Sequence, residues 1–144
     1  MTNKLTIEKA TLDDCHILAL MNRQLIDENE QTNQMTVFEL EDRMHDWLDN
    51  GTFIGFLFML YDEVIGFALI NPTEMWVRHF YICPNYRRQG FGKKAVELLF
   101  DVLGTEEIGL SCLTTNAAGL AFWQSFEHEA FSIKFNIRRA KGAD

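Results

Sequence analysis

Arg87-Arg88-Gln89-Gly90-Phe91-Gly92-Lys93-Lys94 places two glycines among four cationic side chains. At the start of a helix, such a segment makes a binding site for a phosphorylated anion. The first backbone N–H groups of a helix have no intrahelical partner, and the helix dipole puts positive charge at that end. Lacking Cβ atoms, Gly90 and Gly92 let a ligand come close to those donors, and Arg87, Arg88, Lys93 and Lys94 add charge.

The flanking sequence supplies the elements that must hold this loop. Trp76 to Cys83 reads as a strand rich in aromatic and β-branched residues, and Pro84-Asn85 breaks it. Downstream, Ala95, Val96, Leu98, Leu99, Val102 and Leu103 recur at helical spacing. The segment lacks the nucleoside-triphosphatase pattern, since Lys93 is followed by Lys94 rather than Ser or Thr. It also lacks the three-glycine dinucleotide fingerprint.

Arg87-x-x-Gly90-x-Gly92, preceded by Ile82-Cys83-Pro84-Asn85-Tyr86, resembles the acetyl-CoA pyrophosphate loop of the GNAT acetyltransferase family. A second block agrees: a strand-like Ile108 to Leu113, then Thr114 to Trp123 opening a helix, then a strand-like Phe131 to Ile137. The resemblance implies one α/β domain over residues 1–144. Its mixed, mostly antiparallel central sheet would have about six or seven strands, flanked by about four helices. Acetyl-CoA, as co-substrate, would lie along Phe80, Tyr81 and Ile82, with its pyrophosphate on the amides of Arg88, Gln89, Gly90, Phe91, Gly92 and Lys93. Asn116 falls where family members contact the pantetheine arm, and is equally placed to be an ordinary N-cap for the helix that follows. Trp123 falls where many members carry a Tyr that protonates the leaving thiolate.

The implied reaction is attack of a primary amine on the thioester, without a covalent enzyme intermediate. An indole N–H does not titrate usefully, so Trp123 cannot be the acid and packs against cofactor or core. Tyr81 is a substitute donor, or a core residue. His79 and Glu74 are candidates to take the amine's proton through a water, and His79 alternatively is a hydrogen-bonded core histidine. A non-catalytic acetyl-CoA sensor or scaffold is the alternative that Trp123 raises. A third, unrelated reading is a structural protein whose loop binds only free phosphate or an acidic partner.

The charge is asymmetric. Residues 1–72 hold 13 acids and 4 bases, whereas residues 73–144 hold 8 and 9. In GNAT proteins the N-terminal helices commonly wall the acceptor site. Acids there, with Glu28 and Glu30 as counter-ions, would attract a cationic small-molecule or protein amine; the plain alternative is a solvated helix face. A net charge of −8 disfavours nucleic acid. Cys15, Cys83 and Cys112 form no C-x-x-C pair and read as free thiols of a cytoplasmic protein. His16, His45 and His128 show no ligand spacing, so no metal is expected. The apolar run from Phe53 stops at Asp62-Glu63, too short for a bilayer, and the N-terminus shows no signal pattern. A homodimer is an expectation from the family alone.

The remaining elements follow from local signals. Leu5 to Ala10 reads as a strand, and Thr11 with Asp14 starts a helix to about Asp27. Thr36 and Glu39 form a capping box for a second helix that Asn50-Gly51 stops. Phe53 to Tyr61 and Val64 to Ile70 read as a hairpin about Asp62-Glu63.

Overall fold

Strand pairing begins with the continuous apolar runs, which cannot face water on either side. In the computed structural model, which describes residues 4–29 and 32–141, Ile54–Leu60 (β2) and Glu63–Asn71 (β3) pair antiparallel at the centre of one sheet. Leu5–Lys9 (β1) flanks β2 and Trp76–Ile82 (β4) flanks β3, both antiparallel, and Gly109–Leu110 (β5) adds to β4 in parallel. The order is β1-β2-β3-β4-β5. Eleven of the sixteen residues of β2 and β3 are buried, in a continuous run along the middle of β3, as strands covered on both faces require.

The chain divides into two units, Met1–Ser111 and Cys112–Asp144. In the first, Phe91–Leu103 (α3) packs Phe91, Ala95 and Leu99 with Phe56, Phe58, Ala68, Ile70, Val77 and Ile82. Cys15–Glu28 (α1) and Val37–Asp49 (α2) pack Leu18, Met21 and Met44 with Leu57, Phe67, Leu69 and Tyr81. Alternate residues of each strand therefore serve opposite layers. A 3-10 turn, Leu12–Asp14, precedes α1, and the Thr11 N–H donates to Asp14 Oδ2 at 2.8 Å. The capping box of α2 is complete: Thr36 Oγ1 accepts from the Glu39 N–H at 3.2 Å, and Glu39 Oε1 accepts from the Thr36 N–H at 3.0 Å. Asn50 then caps its C-terminus.

β4 departs from regularity where it matters. Leu69 pairs with His79 and Ile70 with Val77, so Arg78 is an extra residue in the ladder, a β-bulge. Strict alternation would put Arg78 beside Phe80 on the α3 side. The bulge instead turns Arg78 to the side of α1 and α2, next to His79. Toward the other end, a Cβ at Gly66 would stand 2.2 Å from the Tyr81 carbonyl, so only glycine fits where β3 closes on β4.

The sheet has five strands among the described residues, not the six or seven expected. Ile108 to Leu113 contracts to the two residues of β5. Phe131 to Ile137 forms no strand, and Phe131, Ile133, Phe135 and Ile137 are 71–87% exposed. Its side chains alternate as in a strand, but a strand also needs a ladder partner for its backbone groups, and none pairs with it among the described residues. The second unit contains Ala117–Gln124 (α4). Among the described residues, no helix is long and apolar enough to cross a membrane.

Candidate active site

The loop after β4 has the geometry of an anion cradle. The Cys83 N–H, donating to the Ile65 carbonyl at 2.7 Å, ends the pairing, and Pro84–Tyr86 forms a 3-10 turn. Arg88 and Gly90 both have left-handed backbone, at φ 61° and 83°. Closely spaced residues of that kind turn successive N–H groups toward a common concavity. For Arg88 the conformation is strained, the sort of outlier that concentrates at ligand sites. Gly90 is the N-cap of α3, and no side chain caps the helix. A Cβ added at Gly90 would meet nothing within 4 Å, so the space in front of the helix end is open. Buried Phe91, against the Tyr86 ring at 6.4 Å, anchors the first turn in the core. Gln89 Nε2 donates to the Asn85 carbonyl at 3.0 Å and Tyr86 Oη to Glu63 Oε2 at 2.5 Å, bracing the loop from both sides.

Arg87 has a different situation from its loop neighbours. Its Nε–H donates to the Ile82 carbonyl at 2.6 Å, and its two terminal nitrogens reach Glu28 Oε1 and Oε2 at 2.8 and 3.0 Å. The guanidinium also lies 5.1 Å from the centre of the Tyr81 ring. The Tyr81 hydroxyl stands 2.9 Å from both Glu28 Oε2 and Gln24 Oε1, so two acceptors share one proton. Burial first, and then the Glu28 carboxylate, push the Tyr81 phenol well above its ordinary value. Tyr81, expected as cofactor contact or acid, is thus held in a network that ties α1 to the loop. Glu28, expected as a counter-ion for the acceptor, is the partner of Arg87. Glu30 lies outside the described residues.

His79 packs edge-on to Phe67 at 6.0 Å, and its Nε2 is buried with no hydrogen-bond partner. Burial, then the charges of Arg78 and Arg43, lower its pKa to about 3. The ring is neutral at neutral pH and a weak base. Glu74 is exposed in the turn before β4, where its N–H donates to Asn71 Oδ1 at 3.2 Å. Phe80 and Ile82 turn to the α3 layer.

A cluster that sequence reasoning missed lies beside His79. The Arg43 guanidinium sits 4.4 Å, and that of Arg78 4.8 Å, from the centre of the Trp47 ring. Arg78 also lies 5.7 Å from Phe53. The spacing of Arg43 and Trp47, one helical turn apart on α2, carried half of this signal. The bulge that brings Arg78 over carried no local signal at all.

In the second unit, Asn116 caps α4, its Oδ1 accepting from the Gly119 N–H at 3.0 Å. Trp123 packs with Phe122 at 4.8 Å and Phe126 at 5.9 Å. Among the described residues, no three His, Cys, Asp or Glu side chains gather as metal ligands.

The strand, the bulge and the glycine-opened helix belong to one α/β architecture, and comparison with known proteins names it. The Acetyltransferase (GNAT) family matches residues 18–127, and the chain belongs to that family. Its fold is similar to that of a possible acetyltransferase from Clostridium difficile 630, at 16% identity and a TM-score of 0.71, over 94% of this chain and 99% of that one. It is also similar to a predicted acetyltransferase with acetyl-CoA from Clostridium acetobutylicum, at 19% identity and 0.65, over 92% and 96%. A third is the aminoglycoside N-acetyltransferase AAC(6')-Iy in complex with the bisubstrate analog CoA-S-monomethyl-acetylneamine, at 17% and 0.68, over 94% and 99%. No curated protein sequence matches the chain.

Proposed function

We propose that this acetyltransferase moves the acetyl group of acetyl-CoA to the primary amine of a small molecule, by direct attack on the thioester. The observation that carries this is the way β4 leads into an open helix end. Pairing of β4 with β5 stops at Val77 and Leu110, while β4 runs on to Ile82 and delivers the chain to the cradle of Arg88 and Gly90. A pantetheine arm has amides that pair with a strand, and its pyrophosphate suits helix-terminal N–H groups. Two of the structural neighbours hold acetyl-CoA or a CoA-derived analog, and one is an aminoglycoside N-acetyltransferase.

The residues then divide the work. Phe91 and Tyr86 fix the helix end, and Arg87 fixes the loop to α1 through Glu28. Backbone N–H groups of β4 stabilise the oxyanion of the addition step. The amine reaches the site as a cation and must lose a proton. Glu74, exposed before β4, takes that proton through a water and releases it to solvent, and buried, neutral His79 stays out of the step. Tyr81 keeps its proton for Glu28 and Gln24, and the thiolate leaves through water. Most of the acceleration comes from positioning two substrates, worth up to about 7–11 kcal/mol.

A purely acid-lined acceptor wall is weakened by the pairing of its members. Asp27 is bound to Arg23, Glu28 to Arg87, Glu41 to His16, and Glu39 is consumed in a helix cap. A cationic acceptor therefore rests on its amine and on the exposed Asp42, Asp46 and Asp49 of α2. The sensor alternative keeps the support of Trp123 at the usual acid position. Release of free CoA thiol across cationic, zwitterionic, neutral and acidic acceptors decides between them. Turnover of amines only is the expected result. Silence across the panel, in protein that CoA stabilises, would favour the sensor. Residues 1–144 would act as one functional domain of a cytoplasmic protein, and a homodimer, twice the 16.7 kDa chain mass, is checked by light scattering.

A further inference from the structure

We propose that Arg43, Arg78 and Trp47 form a carboxylate-binding site, and that the acceptor is a zwitterion carrying its anionic group there. This rests on the acetyltransfer reading above for the use of the site, but its chemistry stands on the cluster itself. Two guanidiniums share one indole, at 4.4 and 4.8 Å, although like charges so close repel. Neither makes an ion pair among the described residues, and the buried Nε of Arg43 has no hydrogen-bond partner.

Scarcity of acids does not explain this, because the chain holds 21 acids and 13 Lys and Arg. Other arginines are well supplied. Arg23 is bound to Asp27 and to the carbonyls of Asn33 and Met35, and Arg87 to Glu28 and the Ile82 carbonyl. An arginine pair left without an acid, half-buried Arg43 and exposed Arg78 against one indole, offers its planar forks to a planar carboxylate. The bulge in β4 exists at Arg78 itself, and turns that side chain to the α2 side where Arg43 and Trp47 wait.

The phosphates of CoA are the competing anion. Arg78 precedes Ile82 by four residues, about 13 Å along an extended strand, whereas the cradle follows Ile82. The cluster is therefore assigned to the acceptor.

The test compares matched acceptors, free amino acids against their α-amides, in wild type and Arg78→Gln. The expected result is a kcat/KM for the carboxylate form about tenfold to a hundredfold above the amide, a preference that Arg78→Gln removes mainly through KM. In parallel, the Trp47 indole N–H resonance is followed by NMR while N-acetylglycine, its amide, inorganic phosphate or CoA is added. A shift with N-acetylglycine alone, lost in Arg78→Gln and in Arg43→Gln, supports the site even if no amine is turned over, in which case the transfer reading fails separately. Turnover of amines with no carboxylate preference, and no shift, would overturn the site and leave the transfer reading standing. An equal response to phosphate or CoA would overturn the assignment to a carboxylate. Denaturation profiles of both variants matching wild type exclude misfolding as the cause of a lost shift.

Discussion

Gly90 is the point at which backbone conformation and ligand access can be separated. Its φ of 83° is left-handed, and a Cβ there would touch nothing within 4 Å. Gly90→Ala therefore incurs no clash, only the cost of an L-residue in that conformation, about 1–2 kcal/mol. For a chain of this size that corresponds to roughly 2–8 °C in Tm. Gly90→Asn recovers much of the loss, because asparagine tolerates the left-handed region. Ligand binding follows different logic, since both side chains project into the open space before the helix end. Loss of one charge-assisted contact from the pyrophosphate weakens CoA about tenfold or more. At a concentration 100 times the wild-type Kd, CoA adds about 2.7 kcal/mol to wild type and about 1.4 kcal/mol to a variant binding tenfold more weakly. Urea denaturation of wild type, Gly90→Ala and Gly90→Asn, with and without CoA, measures both effects. Both variants should lose about half or more of the CoA gain, while only Gly90→Ala bears the full apo cost of about 1–2 kcal/mol. Full retention of the gain in both would place the pyrophosphate elsewhere and refute the cradle.

Two further perturbations probe the neighbouring residues. In the unfolded chain His79 titrates near its ordinary 6.5, and in the fold at about 3, so between these values the unfolded state binds a proton that the native state refuses. Stability then falls as pH falls through that window, by about 2 kcal/mol from pH 7 to pH 5, and His79→Gln should remove this component; equal pH slopes in both proteins, by urea denaturation, would mean that the imidazole is not held neutral. Arg87→Lys keeps the charge but loses the fork that spans Glu28 and the Ile82 carbonyl, so about 1–2 kcal/mol of apo stability and part of the CoA gain should disappear. A lysine variant indistinguishable from wild type would show that charge alone suffices at this position.

What could be read from the residues alone was what depends on near neighbours in the chain. Thr36 and Glu39, three residues apart, announced their capping box, and the break at Pro84 with the glycines beyond announced the helix end. Long-range contacts were silent. Glu28 and Arg87 lie 59 residues apart, and Tyr81 and Gln24 57, so their network depends on how β4 registers against the helix pair. The bulge at Arg78 is a property of the β3–β4 ladder rather than of either strand. Phe131 to Ile137 shows the opposite error. Its alternation is strand-like, but pairing is decided by a partner that no local pattern can supply.

The distribution of satisfied and unsatisfied polar groups adds a physical reason to look at one face of the sheet. The buried Tyr81 hydroxyl finds Gln24 and Glu28, and Glu28 finds Arg87, so that network is complete. By contrast, the buried side-chain atoms without a partner among the described residues are both amide atoms of Asn22, Nε of Arg43 and Nε2 of His79. They belong to α1, α2 and β4, and none to α3 or its side of the core. Leaving such an atom unpaired costs about 1–3 kcal/mol, a large fraction of the stability of any domain. A fold that satisfies its polar groups elsewhere tolerates such costs where function demands it. Under the proposed reading, Arg43 and Arg78 mark the side of β4 toward α1 and α2 for the acceptor, and the strand's far end, with its strained Arg88 and open Gly90, is left for CoA. Two substrates meeting along one strand from these two directions is what direct transfer without a covalent intermediate requires.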